Sequence, residues 1–414
     1  MHNVLFRCQA AGVLAACAFF TQSAAAQSAP AQYRITDLGL VGRSAGPLVI
    51  TNDDLIAEAV AVSNGGWHAA ISLQGRAQID LGGLGGTVSS AFGVNARGQA
   101  AGEAETAATN SEDFCGFATQ HVCDAFFWQN GVMSPLPPLK DASGAAGKNT
   151  GAKTINILSQ VAGVAENTTT DSTCPPYNPA SSQFQTYQFK PVIWTGGEIN
   201  QLATSGTDSK GNAFNEPDGV VFRLNDRGQA VGAVGTCTGF TGFSYLNGLH
   251  AVLWQNGSVI DLGNLGGIAS PPPSAGIGNT GNFAYYINRS GHVVGTSGTQ
   301  DGSFHAFFWS PETLIQDVGT IPGDVASVGL TISDLGEIGG VSLPAGALEN
   351  VPTAAPRAFI KPNGGTMLDL NSLIPANSPL HLITVCSINS RGEAIGLAID
   401  AQGNVHGYLA TPSR

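Results

Sequence analysis

Charged residues are scarce in this chain, and the two signs are unequal. Lys and Arg together number 17 against 29 Asp and Glu, so the formal net charge is -12 over 414 residues. Surfaces that bind nucleic acid or anionic membranes need clustered Lys and Arg, which argues against both partners. After residue 30 no segment has the roughly 18 unbroken apolar residues that a membrane helix needs, and no long amphipathic helical pattern occurs.

The motifs of several common active and metal sites are also missing. The sequence has no nucleophile elbow with a Ser-His-Asp order, no Walker loop and no EF-hand loop. It has no CxxC pair and no close Cys/His cluster of the kind that holds zinc. Sequence motifs therefore give no catalytic residue, no metal ligand and no cofactor.

Glycine, by contrast, is abundant, with 55 residues. Many glycines, few charges and short β-branched runs are typical of an all-β protein with many turns. Residues 1–26 carry a basic start, a short apolar run and small residues, which we interpret as a signal peptide cleaved after Ala26. A lipoprotein signal with Cys17 in its lipobox is the alternative. We therefore expect an exported chain, periplasmic or extracellular, with a single domain over residues 27–414.

Five cysteines follow the predicted signal peptide. Disulfides form and persist in oxidising compartments. Cys115 and Cys123 lie close together in a polar loop, so we predict that they pair with each other. Cys174 and Cys237 are the candidates for a second disulfide. Cys386, in LITVCSIN, would then be a buried free thiol.

Self-similarity organises the rest of the chain, in three phrases that recur in fixed order. The first phrase is Asn, with Gly usually at the third place after it and Gly again at the seventh. Its copies are 94–102, 155–163, 224–232, 287–295 and 388–396, with weaker ones at 332–340 and at 51–59, where Asn52 takes the Asn place. The phrase predicts a hairpin, in which an apolar strand ends at Asn and Gly takes a positive φ in the turn.

The other two phrases also occur seven times each. The second is a polar residue, a small one and an apolar run, and it begins at His68, Asp124, Lys190, His250, His305, Arg357 and His406. The third is an Asp-Leu-Gly type sequence at Asp37, Asp80, Asp261, Asp317 and Asp369, with Pro135 and Gln201 in two divergent units. We expect the repeated His to bond a neighbouring backbone and the Asp to cap a turn. The repeated Trp of the second phrase should pack between units.

Each unit thus holds four short strands, which we name A (ending at Asn), B (ending near Gly), C (the second phrase) and D (the third). Seven such units, from about residue 33 to 410, are typical of a β-propeller. The chain starts with a D strand, YRITDLGL at 33–40, and ends with a C strand. We predict an all-β, seven-bladed propeller of four-stranded antiparallel blades, closed by the N-terminal strand pairing into the last blade. An open solenoid would not need the chain to start with a D strand and end with a C strand, because its first and last units do not meet.

The repeated phrases also resemble a known family. The segments HAFFWSPETLIQDVGTIPG and HAVLWQNGSVIDLGNLGG each follow an Asn-to-Gly hairpin, and together they resemble the HAF-repeat family of extracellular proteins. The resemblance runs from about Tyr33 to Ala410. It implies export and a repeat fold, and it carries no catalytic residue onto this chain.

Strand order indicates which face carries function. In antiparallel units the B–C and D–A connections emerge on one face, which we call the loop face, and the A–B and C–D turns on the other. The long insertions belong to the loop face, and long loops on a rigid scaffold are where binding residues concentrate. Aromatic rings there suit sugars or peptide segments, unless they form loop cores pinned by disulfides. The candidate binding aromatics are Phe114, Phe117, Tyr177, Tyr187, Phe243 and Tyr245.

Glu105 and Glu166 occupy the same place in adjacent units, ten residues after their Asn. They are candidates for a facing carboxylate pair, for acid–base chemistry or for cation binding, and the alternative places them at solvated strand ends. The sequence favours a monomeric binding module for a glycan or a protein segment. The alternatives are an extracellular polysaccharide hydrolase or lyase with paired carboxylates, and a structural envelope protein without a small ligand.

Overall fold

The structure, a computed structural model, is all β. It describes residues 33–41, 48–63, 65–73, 77–110, 112–117, 119–174, 185–237, 246–267, 281–347 and 355–413. The predicted signal peptide lies outside the described residues. The described part holds 31 strands and a single 3₁₀ turn at Leu370–Leu373. Within it, no helix is long and apolar enough to cross a membrane.

The strands follow the predicted units along the chain. The N-terminal strand is β1 (Tyr33–Leu40). The first unit holds β2 (Val49–Ile50), β3 (Leu55–Ala61), β4 (Trp67–Leu73) and β5 (Ile79–Asp80). The second holds β6 (Gly85–Val94), β7 (Ala100–Thr109), β8 (His121–Gln129) and β9 (Val132–Pro135). The third holds β10 (Thr150–Ile155), β11 (Val161–Thr170), β12 (Tyr187–Thr195) and β13 (Glu198–Gln201).

The later units repeat this layout. A short pair, β14 (Ser205–Thr207) and β15 (Ala213–Asn215), precedes the fourth unit, which holds β16 (Asp218–Leu224), β17 (Ala230–Cys237), β18 (Leu246–Gln255) and β19 (Ser258–Asp261). The fifth holds β20 (Phe283–Ile287), β21 (Val293–Gly298), β22 (Phe304–Ser310) and β23 (Leu314–Gly319). The sixth holds β24 (Asp324–Ile332), β25 (Ile338–Pro344), β26 (Arg357–Lys361) and β27 (Leu368–Asp369). The seventh holds β28 (His381–Leu382), β29 (Ser387–Ile388), β30 (Ala394–Ile399) and β31 (Val405–Pro412).

Within each unit, neighbouring strands pair antiparallel in chain order. In the seventh unit, β28 and β29 share the place of strand A, and both pair with β30. A parallel bridge between Trp67 and Val88 joins the first two units into one eight-stranded sheet. The sheet pattern therefore follows the A, B, C, D order that the repeat predicts.

The N-terminal strand completes the seventh unit. As the sequence predicts, β1 pairs antiparallel with β31, in a register that runs from Tyr33 opposite Pro412 to Leu40 opposite His406. The Tyr33 side chain is only 5% exposed and packs in the cluster that contains Tyr408. Strand D of the last unit thus comes from the opposite end of the chain.

A hydrophobic cluster lies at every contact between neighbouring units. Between the first and second units, Ala57 packs in one cluster with Trp128. Matching clusters lie at the next five contacts along the chain. Between the seventh unit and the first, Ile56 packs with Ile395 and Leu409. The core is therefore spread over the seams between units, with at least one cluster at each seam and a second at three of them.

The repeated Trp residues lie in these seams, as predicted. Trp194 is 1% exposed, and its indole N–H donates to the carbonyl of Pro137 in the preceding unit at 2.8 Å. Trp254 makes the same bond to Ala203 at 2.7 Å. A buried indole needs a partner for its N–H, and the preceding unit supplies it.

The repeated Asn caps its turn and also fastens one unit to the next. Oδ1 of Asn95 accepts the N–H groups of Arg97 and Gln99 within its own turn, where Gly98 has a φ of 70°. Nδ2 of Asn95 donates to the carbonyl of Asn156 in the next unit at 2.9 Å. The third, fourth and fifth units make the same bond to their successors.

The first unit differs from the predicted alignment by one residue. Thr51, not Asn52, caps its A–B turn, because Oγ1 of Thr51 accepts the N–H groups of Asp53 and Leu55. Asn52 instead reaches the seventh unit, where its Oδ1 accepts the N–H of Ser390 at 2.7 Å. A Thr hydroxyl can cap a turn much as an Asn amide does, which is why the alignment chose the wrong residue.

The last Gly of the first phrase lies opposite a β-bulge in strand A. The register of strand A shifts at this place in five units. A Cβ on Gly295 would lie 1.8 Å from the carbonyl oxygen of Phe283, and a Cβ on Gly102 would lie 1.9 Å from that of Ser90. Only glycine fits against these carbonyls, which explains why the phrase repeats it.

Gly295→Ala is therefore expected to lower the free energy of unfolding by about 2–3 kcal/mol, because overpacking against backbone costs roughly this much. Urea unfolding measures the change. The matched control is Gly83→Ala, whose added Cβ would have no atom closer than 3.8 Å and should stay within about 0.5 kcal/mol of the parent. Equal unfolding midpoints for the two variants would contradict the bulge explanation.

Candidate functional site

The B–C connections of the second, third and fourth units are, with the D–A connections at 203–219 and 264–283, among the long ones of the predicted loop face. The structure describes most of the first of them, between β7 and β8, and the ends of the other two. Tyr177, Phe243 and Tyr245 lie outside the described residues, so their binding role stays a prediction.

Two disulfides brace these three connections, at the cysteine pairs that the sequence indicates. Cys115, in the connection of the second unit, is joined to Cys123 at the start of β8. Cys174 and Cys237 join the connection of the third unit to the end of β17 in the fourth. Neighbouring units are thus linked covalently on this face.

The cysteine sulfurs of the described part do not form a metal site. Glu103 lies close to the first disulfide and Asp171 to the second. A cysteine binds metal as a thiolate, and sulfur in a disulfide is not one. Cys386 is a buried free thiol, and burial raises its pKa.

Phe114 is part of a small loop core and does not reach the surface. It is 1% exposed and packs edge-to-face on Phe189, with ring centroids 5.2 Å apart. The same cluster holds the first disulfide, with Phe117 half-buried against it. The predicted ligand contact of Phe114 is therefore wrong, because its ring is covered. Phe117 and Tyr187 are half-buried and keep part of their surface open.

Glu105 and Glu166 are both buried, at 1% and 0% exposure, so their interpretation as solvated strand ends is wrong. They also have separate neighbours. The backbone N–H groups of Thr87 and Val88 bond Glu105, whereas Glu166 bonds Asn149. Burial is the main cause that raises the pKa of each carboxyl.

Glu166 forms a buried acid pair with Glu112, from the connection of the preceding unit. The Asn149 side chain links the two, since its Nδ2 lies 2.8 Å from Oε2 of Glu166 and 3.4 Å from Oε2 of Glu112. The Asn149 backbone N–H also donates to Glu166 at 3.0 Å. Burial, and then the Glu112 carboxyl, raise the pKa of Glu166 well above its ordinary value. Sequence reasoning missed Glu112, because its loop has no counterpart in the repeat.

A second buried acid pair lies one seam further on. Asp218 accepts the N–H of Phe189 at 2.7 Å, and burial followed by hydrogen bonding with Asp171 raises its pKa to about 8. The ammonium group of Lys190 donates to the carbonyl of Pro217. Burial lowers the pKa of Lys190, and the charges of Asp218 and Asp171 partly oppose that lowering. This seam therefore carries a cation of the chain beside its acids.

The repeated His bonds the repeated Asp of the adjacent D strand. Nδ1 of His305 lies 2.9 Å from the carboxylate of Asp317, and the first, fourth and seventh units form the same pair. In the sixth unit Arg357 takes the place of the His. The predicted backbone partner is therefore wrong. The predicted turn cap is confirmed, since Asp317 accepts the N–H of Gly319 at 2.7 Å.

His406 differs from the other repeated His residues in having two carboxylate partners. Its Nδ1 lies 3.0 Å from Asp37 on β1, and its Nε2 lies 3.4 Å from Asp400 in the turn before β31. Hydrogen bonding to Asp37 first, and then to Asp400, raises the pKa of His406. Such a group stabilises the fold fully below its unfolded pKa of about 6.5, and that stabilisation is lost as the pH rises through the folded pKa.

As the pH rises from about 6 to about 8, we therefore expect the free energy of unfolding of His406→Gln to fall less than that of the parent. Thermal melting of both proteins across this interval measures the difference. Asp218, whose pKa is also raised, titrates in both proteins, so only the difference between them reports on His406. The same pH dependence in parent and variant would contradict the role of the Asp37 and Asp400 contacts.

A cavity of about 270 Å³ lies at the opposite end of strand A from the loop face. It is lined by the ends of the A strands and the turns that follow them, and all seven units contribute. One lining residue from each unit is Asn52, Asn95, Asn156, Asn225, Asn288, Ser333 and Ile388. Sequence reasoning did not place a site at this end, because its turns are short and uniform.

Comparisons with known proteins give distant likenesses only. No family model and no curated protein matches the chain. The BP39L lectin from Burkholderia pseudomallei is 12% identical at a TM-score of 0.40, over 92% of this chain and 98% of the lectin. A mutant puromycin hydrolase complexed with PGG is 10% identical at a TM-score of 0.35, over 86% of this chain and 58% of its own. A puromycin-hydrolyzing peptidase from Mycobacterium tuberculosis is 14% identical at a TM-score of 0.29, over 89% and 57%. The chain spans less than two thirds of the two hydrolases, and at these TM-scores the likeness carries no argument about ligand or activity.

Proposed function

We propose that the chain is an exported, monomeric binding module of the HAF-repeat type, folded as a seven-bladed β-propeller that β1 closes. Two observations support the ring. Every seam has its own hydrophobic cluster, including the one where Ile56 meets Ile395. Residues from all seven units line one cavity, as the central channel of a propeller requires.

The ligand surface is the loop face of the second, third and fourth units. The observation that carries this assignment is the pair of disulfides, which brace three adjacent long connections. Cross-links reduce the conformational freedom of the loops before any ligand arrives, and preorganised loops bind at lower entropic cost. The A–B turns of the opposite face are short and have no such bracing.

The ligand is a glycan or a protein segment, and the partly open rings of Phe117 and Tyr187 are its first candidate contacts. Aromatic faces of this kind pack on sugar rings and on apolar side chains. Binding is favoured over polysaccharide hydrolysis or lysis because Glu105 and Glu166 are buried with separate partners. Two catalytic carboxyl groups would instead face one cleft, about 5–10 Å apart.

A glycan array and a peptide array probed with the purified mature protein, scored for binding and for cleavage, test the proposal. We expect a hit without cleavage, weakened when Phe117 and Tyr187 are both changed to Ala. The control is Leu158→Ala on the opposite face, where the side chain is 57% exposed. Cleavage would favour the hydrolase or lyase. No hit, or a hit lost only in the control variant, would overturn the binding surface and favour the structural role.

A further inference from the structure

Glu112 and Glu166 place two carboxyl groups side by side in the protein interior, which is energetically unfavourable. The two residues are 5% and 0% exposed, and the same Asn149 side chain contacts both. Taking carboxylates out of water is costly unless another charge compensates them. In the described part of the chain, no Lys, Arg or His forms an ion pair with either one.

One oxygen of this pair has no hydrogen-bond donor from outside the pair. Oε2 of Glu166 accepts from Asn149, whereas Oε1 is fully buried and has no hydrogen-bond donor. Buried polar atoms are almost always satisfied, and an exception calls for an ion, a water or a role. This orphan oxygen belongs to a side chain with no solvent exposure that also contacts Glu112.

The neighbouring seam shows what such a pair needs. There, Asp171 and Asp218 form an equally buried pair, in which Oδ2 of Asp171 likewise has no hydrogen-bond donor. The positive charge of Lys190 acts on both of these carboxyls. Lys153, a buried cation of the third unit, is already paired with Glu103. One seam thus has an internal cation beside its acids, and the other has acids alone.

We infer that the Glu112–Glu166 pair binds a divalent cation of the calcium class, which cross-links the loop of the second unit to the B strand of the third. Ca²⁺ takes six to eight oxygen ligands in flexible geometry. The two carboxylates offer four oxygens, with water and carbonyl oxygens to complete the shell. Mg²⁺ fits less well, because it demands a near-octahedral shell and holds its waters tightly. This inference is independent of the ligand on the loop face.

Calcium binding by the full mature protein tests the inference. After EGTA treatment and dialysis, calorimetric titration with CaCl₂ should show a single site, and added Ca²⁺ should raise the melting temperature by several degrees. Glu112→Gln and Glu166→Gln should each abolish both effects. The matched control is Asp171→Asn, which removes one acid from the seam that holds Lys190 and should bind Ca²⁺ like the parent.

Each outcome decides the matter. A parent protein that shows no titration heat and no change in melting temperature with Ca²⁺ or EGTA overturns the site. If Glu166→Gln is then at least as stable as the parent, a shared proton satisfies the pair instead. Should both Gln variants fail to fold, the calcium content of the parent before EGTA, measured by atomic absorption, replaces them, with one bound ion supporting the site and none overturning it.

Discussion

Deletion of residues 33–41 is expected to destabilise the protein severely and to promote aggregation. The deletion removes β1 and so leaves the backbone of β31 as an open edge, which is a template for pairing with other chains. It also removes the buried Tyr33 ring from its cluster, a loss of about 3 kcal/mol in itself. Thermal melting and light scattering of the mature protein with and without this segment measure both effects.

A circular permutant provides the matched control. Because Tyr33 lies opposite Pro412, a two-residue Asn-Gly linker can join residue 412 to residue 33, as Asn256 and Gly257 join β18 to β19 with positive φ at both positions. The permutant starts at residue 48 and ends with the linker followed by residues 33–41. We expect it to regain most of the parent melting temperature. A deletion variant that melts like the parent would refute the closing role of β1.

Replacement of Cys174 and Cys237 by Ala should cost about 4 kcal/mol of unfolding free energy. This disulfide closes a loop over a sequence separation of 63 residues, and the entropy of the unfolded chain that a disulfide removes grows with the length of the loop. Urea unfolding of the double variant measures the change.

The other disulfide offers a comparison within the same chain. Cys115 and Cys123 are separated by only 8 residues, so their double Ala variant should cost about 2–3 kcal/mol by the same rule. Both bonds lie on the loop face. An equal loss for the two variants, or a loss below about 1 kcal/mol for the long loop, would show that the bracing is not entropic.

Much of the fold could be predicted from the sequence, because its determinants are local and repeated. Gly98 marks a turn through its positive φ, and the short apolar run of the second phrase marks a strand with both faces buried, as Ala306 and Phe307 show. The place of β1 followed from the order of the phrases alone, since a D strand without its own unit needs a C strand at the other end.

One pairing was present in the sequence but was not recognised. The third phrase lacks its Asp only at Pro135 and Gln201, in the second and third units. The same two units lack His or Arg at the start of the second phrase, where they have Asp124 and Lys190. This joint variation within the chain indicates that His and Asp contact each other, as the structure has them.

The burial of the acids could not be predicted, because nothing local encodes it. Glu166 lies in the B strand of its unit at the same place as Glu105 in the preceding unit, and an acid near a strand end is usually solvated. What covers Glu166 is the connection that contains Glu112, and that connection occurs once in the chain. A unique loop that packs on a repeated strand leaves no periodic signal, so the acid pair became visible only in three dimensions.

The pairing of β1 with β31 also determines when during synthesis the first strand can pair. Asp37 and its partner His406 are 369 residues apart, so at about 5–20 residues per second a ribosome needs on the order of 20–70 s to make one after the other. Throughout that time the first strand has no partner. A message cut short anywhere before residue 405 yields a product whose first strand stays unpaired, and quality-control proteases can recognise that exposed strand. The last unit can therefore become stable only after β31, near residue 412, has been synthesised.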